Sequence, residues 1–204
     1  AVVFADVGSE VYAPELTEAI HEGIRRGYRN ARKSVADPLT RLNTKDNTPA
    51  MIHLTQVDGD ALTLHFLAKG AGSENMSGVY MLTPSAGRQG IIDSVVDRVV
   101  KAGANPCPPI ILGVGIGGTM ETAAVLSKRA LLRRAGAAHP NPDVAALEQE
   151  ILAAVNATGI GAQGFGGNTT ALYVAAETFP THIGMLPVAV TVQCHSARHA
   201  TVVL

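Results

Sequence analysis

The sequence predicts an α/β fold, α+β in character, with a mixed sheet flanked by helices. Three observations carry this. Short Val- and Ile-rich runs of strand length alternate with longer segments of helical periodicity. The alternation is not the strict strand–helix–strand repeat of an all-parallel sheet. Glycine and proline clusters separate the runs, as turn signals do. With 204 residues and 47% apolar side chains, the chain can bury a core without disulfide staples, and a single domain over 1–204 is expected. Aromatic residues are only 4%, so that core is built from Ala, Val, Ile and Leu.

Val2 to Val7 reads as a strand. Pro14 to Arg32 reads as a helix, because Leu16, Ala19, Ile20, Ile24 and Tyr28 recur at helical spacing. Pro14 is tolerated in a first turn, and Glu15 and Glu18 suit the positive end of the helix dipole. The polar stretch Lys33 to Pro49 carries turn signals at Asp37-Pro38 and Asp46-Asn47, and a loop this long is often functional. Met51–Val57 and Ala61–Ala68 alternate on either side of Asp58-Gly59, which predicts a hairpin. Ser85–Ala102 predicts a helix with Ile91, Ile92, Val95, Val96, Val99 and Val100 inward. A buried strand over Ile110–Val114 and helices over Thr119–Leu132 and Pro142–Thr158 follow. Strands at Ala171–Ala176, Leu186–Gln193 and Ala200–Leu204 close the chain.

A net charge of −1 leaves no basic footprint for nucleic acid. No apolar run approaches the length that crosses a bilayer, and no targeting signal is visible. Two cysteines in distant parts of the chain are not a disulfide framework; they read as reduced thiols, and a cytoplasmic location is expected. Mean hydropathy of +0.19 is high for a soluble monomer, so apolar surface meeting a partner is one expectation. The chain begins AVVFADV, already inside a strand and without an initiator Met, so an upstream part is expected to be missing.

Two glycine sets, Gly113-Gly115-Gly118 and Gly159-Gly161-Gly164, satisfy G-x-G-x-x-G. A dinucleotide site also needs an acid about 20 residues further on to hold the ribose. Glu121 lies inside the following helix, and Glu177 follows a loop with no helix pattern after it. Close packing, or amides serving another anion, compete with the nucleotide interpretation. The loop Lys69–Met76, KGAGSENM, brings Gly70 and Gly72 directly after a strand, where backbone amides can form an anion-binding concavity.

Cys107 stands in Asn105-Pro106-Cys107-Pro108-Pro109, a stiff backbone leading into an apolar strand. Cys194 stands in Gln193-Cys194-His195-Ser196-Ala197-Arg198-His199, in polar company at a strand end. Cys107 could instead be a small buried hydrophobe. Neither has the close-spaced partner of a zinc site, and together they suit a metal cluster while leaving it incomplete. Arg32 presents a planar fork suited to a carboxylate, or simply caps its helix. His182, in Thr181-His182-Ile183-Gly184, is either a loop histidine or a proton-handling group.

KGAGSENMS, NPCPPIILGVGIGGT, GIGAQGFGG and VTVQCHSARH, in this order, resemble the class I iron–sulfur fumarate hydratases and the α subunits of L(+)-tartrate dehydratases over essentially the whole chain. The resemblance implies the N-terminal domain type of that family and a hydro-lyase acting on a four-carbon dicarboxylate, with a [4Fe–4S] cluster as Lewis acid. It makes Cys107 and Cys194 two of three cluster ligands. The remaining cysteine belongs to a CQDTG-type segment upstream of AVVF. Arg32 and Gly72 correspond to substrate-binding positions and His182 to an active-site histidine. Ala71 replaces the middle glycine of a KGGGS-type loop, and Asn168 stands where many relatives carry Arg or Lys. A threonine base and further cations are implied in a β subunit or C-terminal domain, so a homo- or hetero-oligomer is expected. Two other possibilities stand beside it: a nucleotide-binding dehydrogenase domain, and a non-catalytic partner subunit.

Overall fold

The computed structural model describes residues 1–204. The strands are β1 Val2–Gly8, β2 Met51–Val57, β3 Leu62–Leu67, β4 Gly78–Leu82, β5 Ile110–Gly117, β6 Ala171–Phe179, β7 Leu186–Gln193 and β8 His199–Val203. The helices are α1 Leu16–Gly27, α2 Ala71–Glu74, α3 Gly87–Ala102, α4 Met120–Ala130 and α5 Pro142–Asn156. Contacts divide the chain into two compact units, one made of Ala1–Ala68 with Arg198–Leu204, the other of Lys69–Ala197. Both sheets are mixed and both carry helices, as the sequence predicts. No helix is long and apolar enough to cross a membrane.

The first unit has one sheet in the order β2-β1-β3-β8. Val3, Ala5, Ile20, Ile24 and Ala50 form its core, so α1 lies on the sheet through its apolar stripe. Two expectations are corrected here. β2 and β3 do not form a hairpin: β1 runs between them, parallel to β2 and antiparallel to β3. The end of β1 enters the Asp58-Gly59 turn, where Gly8 N donates to Ala61 O, Ser9 N to Val57 O and Glu10 N to Gly59 O. Gly8 is required there, because a Cβ would lie 2.4 Å from Gly59 O. A two-residue turn signal is local, and it cannot register a third strand that takes both partners' hydrogen bonds. α1 also stops at Gly27 rather than reaching Arg32. Lys33 Nζ folds back to accept the role of cap, donating to the carbonyls of Tyr28 and Arg29.

The second unit has a sheet in the order β4-β7-β5-β6, in which β5 is parallel to β6 and antiparallel to β7. β5 is buried along its whole length. Its Ile110, Leu112, Val114 and Ile116 join Ile91, Val95 and Val99 of α3 and Leu147, Ile151 and Val155 of α5 in one core. On the opposite face Gly113 and Gly115 meet α4. Val100, expected inward, is 56% exposed, because α3 presents only its 91, 92, 95 and 99 stripe to the sheet.

The edge strand β6 is covered by charge. Glu148, 3% exposed, accepts from Ala176 N at 2.7 Å and from Arg133 Nη1 at 2.5 Å. Arg133 Nη2 donates to Glu177 Oε1 at 2.8 Å and to the carbonyl of Ala176. Side chains thereby take the ladder groups that a further strand would otherwise claim.

Candidate functional site

β5 begins where β7 ends, since Ile111 pairs with Gln193. The residues before β5 and after β7 therefore meet at one end of the sheet, and these residues include Cys107 and Cys194. His195 fixes the junction: its Nδ1 lies 3.0 Å from the carbonyl oxygen of Cys107. That oxygen can only accept, so Nδ1 carries the hydrogen. Both thiols are free, Cys107 exposed and Cys194 half-buried.

Cys107 has φ +57°, in the left-handed region. For a residue with a Cβ this costs on the order of 1 kcal/mol, and such strain concentrates at functional sites. The surroundings hold it in place. Cys107 N donates to Ala104 O at 3.0 Å. Gln163, from the second glycine-rich loop, donates to Pro108 O twice, from its backbone N at 2.8 Å and from Nε2 at 3.0 Å.

The loop before β4 closes the same end. Ser77 Oγ accepts from Val192 N at 3.0 Å, next to the end of β7. Lys69, whose side chain is 5% exposed, donates to Ser73 Oγ at 2.8 Å and pairs with Glu74 at 3.4 Å. Burial lowers the Lys69 pKa; Glu74 opposes this, Lys128 adds to the lowering, and Cys194 is close enough to oppose it too. A desolvated ammonium beside a thiol favours an anion there. Gly72 is open, with nothing within 4 Å of an added Cβ. Sequence reasoning singled out the glycines of this loop; Lys69 was legible only as a charge at its start.

The glycine patterns have a packing cause. A Cβ on Gly113 would lie 1.9 Å from Ser127 O, and one on Gly115 would lie 1.9 Å from Ala123 O. These two glycines let the backbone of α4 pack directly against β5. In the second set, a Cβ on Gly161 would lie 2.1 Å from Gly166, and one on Gly164 would lie 2.6 Å from Ala104. These glycines let a loop fold on itself and onto the segment that carries Cys107.

His182 is not brought to the cysteines. It lies in the turn between β6 and β7, at the opposite end of the sheet, where its Nδ1 accepts from Gly184 N at 3.0 Å. The length of β7, about 25 Å at roughly 3.3 Å per residue, separates that turn from Cys194. Its neighbours are Pro84, Arg88, Ile91, Leu147 and Leu186, around a cavity of about 390 Å³. Spacing along a chain does not say which end of a strand a turn occupies relative to another strand's end; the antiparallel course of β7 decides it.

Arg32 belongs to the first unit. It is exposed, and its backbone is fixed by Asn47, 4% exposed, which donates from Nδ2 to Arg32 O at 3.1 Å and accepts from Ser34 N at 2.6 Å. Asp46 braces the same loop. It accepts from Thr48 N at 2.9 Å, Thr48 Oγ1 at 2.8 Å and Arg25 at 3.2 Å, and its pKa falls to about 2.

Two thiols at one sheet end, with an ammonium nearby, are donor chemistry that an iron–sulfur centre accepts. They fit as part of a ligand set. No group of three or more His, Cys, Asp and Glu side chains is arranged to hold a single metal ion.

A family model described as fumarate hydratase (Fumerase) matches residues 1–203. A protein of Methanocaldococcus jannaschii named "Putative L(+)-tartrate dehydratase subunit alpha" is 40% identical over 210 residues, covering 98% of this chain and 73% of that one. The L(+)-tartrate dehydratase subunit alpha of Escherichia coli O157:H7 is 34% identical over 191 residues, and that of strain K12 is 32% identical over 191. This chain spans 63% of the length of each of these two. A match over the whole chain, with a relative at 40% identity, places it: the chain belongs to the fumarate hydratase (Fumerase) family.

Proposed function

We propose that this chain is the cluster-bearing part of a hydro-lyase that adds water to, or removes it from, a four-carbon dicarboxylate. The single observation that carries the proposal is the meeting of Cys107, Cys194 and the Lys69–Ser73 loop at one end of the second sheet. Cys107 and Cys194 would be two ligands of a [4Fe–4S] cluster, which would supply Lewis-acid chemistry for the substrate hydroxyl.

The protein groups do the rest of the binding. Lys69 holds negative charge at that end, and the backbone of the Gly70–Gly72 turn, open at Gly72, approaches a carboxylate closely. Arg32 is the fork for a carboxylate, on a backbone fixed by Asn47. Elimination also needs a base for the Cα proton, which on this proposal comes from a β subunit; the relatives' names as alpha subunits support that partner. The catalytic role implied for His182 would be exercised at the other end of this sheet, away from this chain's own cysteines. Fumarate hydration to L-malate is the first substrate assignment. The same names favour L(+)-tartrate dehydration equally. Free thiols suit a reducing compartment such as the cytoplasm.

The test is anaerobic cluster reconstitution of the full-length protein with its β partner, followed by assay on fumarate, L-malate and L(+)-tartrate. Cluster absorbance and turnover of one of these diacids are expected, and Cys107→Ser and Cys194→Ser should each lose both. Unchanged cluster content in both variants would overturn the assignment.

A further inference from the structure

Gln193 is the last residue of β7 and is 1% exposed, directly beside Cys194. Its Nε2 donates to the carbonyl of Cys194 at 3.3 Å and to the Cys194 sulfur at 3.6 Å. The carbonyl can only accept, which fixes the orientation of the amide: a flipped group would set oxygen against oxygen. The other end of the amide is anomalous. Oε1 is buried and has no hydrogen-bond partner. Buried polar atoms are nearly always satisfied, so an orphan acceptor pointing away from a cysteine sulfur calls for a donor.

Resting on the cluster assignment above, we propose that Gln193 is a positioning residue for the centre Cys194 binds. Its N–H is the hydrogen-bond donor to the ligand sulfur, and its Oε1 is held for an N–H or O–H donor that arrives when the site is completed. The physical consequence is directional. Reduction places negative charge on the cluster sulfurs, and a donor aimed at one of them stabilises the reduced state. Removing that donor moves the reduction potential to more negative values. Oε1 then serves as a brace: with its acceptor satisfied, the amide cannot rotate away from the sulfur.

The experiment uses the reconstituted full-length protein with its β partner. Gln193→Leu removes donor and acceptor, and Gln193→Glu keeps the shape and Oε1 while removing the N–H. Both should load iron, and both should shift the cluster's reduction potential negative in an electron paramagnetic resonance titration. Because a buried carboxylate can impair folding, the unmutated protein carries an independent readout. Labelled with side-chain 15N-glutamine, its reduced cluster should show a 15N coupling that Gln193→Leu abolishes. An unshifted potential in a folded, loaded variant, or no 15N coupling in the unmutated protein, overturns the role of Gln193 alone. Failure of the unmutated protein to take up any cluster overturns the assignment on which it rests.

Discussion

Gly115→Ala is the sharpest test of what the glycine pattern is for. One methyl group added there would sit 1.9 Å from Ala123 O and 2.7 Å from Ser127 N, both backbone atoms of α4. An ordinary van der Waals contact starts at about 3.4 Å, so the helix must retreat by about 1.5 Å or the strand must bend. Neither is easy. α4 is pinned to β7 by the buried Ser127–Thr191 hydroxyl contact at 2.6 Å, and β5 is buried on both faces. Overpacking usually costs about 1–3 kcal/mol, and a clash with backbone belongs at the upper end. For a chain of this size about 3 kcal/mol lowers Tm by roughly 6–12 °C. Equilibrium urea unfolding and a thermal melt of the ligand-free protein measure it. Gly72→Ala is the control, since its Cβ meets nothing, and it should change stability by less than about 0.5 kcal/mol. If Gly115 instead kept room for a dinucleotide, the empty protein would not feel the methyl. A loss below about 0.5 kcal/mol for Gly115→Ala would refute the packing account.

Two further outcomes follow from buried and braced charges. Glu148→Ala removes the buried partner of Arg133 Nη1 and unsatisfies Ala176 N, and should cost about 3 kcal/mol by urea unfolding; Arg88→Ala, which breaks only exposed contacts, those with Glu150 and the carbonyl of Asp143, should leave the transition in place. Asp46 has its pKa lowered to about 2, so its contribution is fully present above the unfolded carboxyl value near about 3.9 and is lost as pH falls through about 2. Stability measured between about pH 4 and pH 2 should therefore fall less steeply in Asp46→Asn than in the unmutated protein; equal slopes would remove Asp46 from the acid response.

The sequence alone determined most of the elements and their order, missing the edge strand β4 and the short helix α2. Helical spacing at 91, 92, 95 and 99 placed α3, and the bounds of β7 were legible to the residue. These are local properties, written in the period of apolar side chains and in turn residues. Cys107 and Cys194 were singled out as chemistry-bearing strand ends, because a cysteine between prolines and a cysteine in polar company are legible one residue at a time. Tertiary structure alone decided what meets what. It put β1 into the apparent hairpin, sent Thr181-His182 to the far end of the sheet and set α4 against Gly113 and Gly115. It also joined Cys107 to His195 and enclosed Lys69 and Gln193 beside Cys194. The physical reason is strand direction. Which end of a strand faces which is set by hydrogen bonds between segments far apart in sequence, and no window along the chain contains both partners.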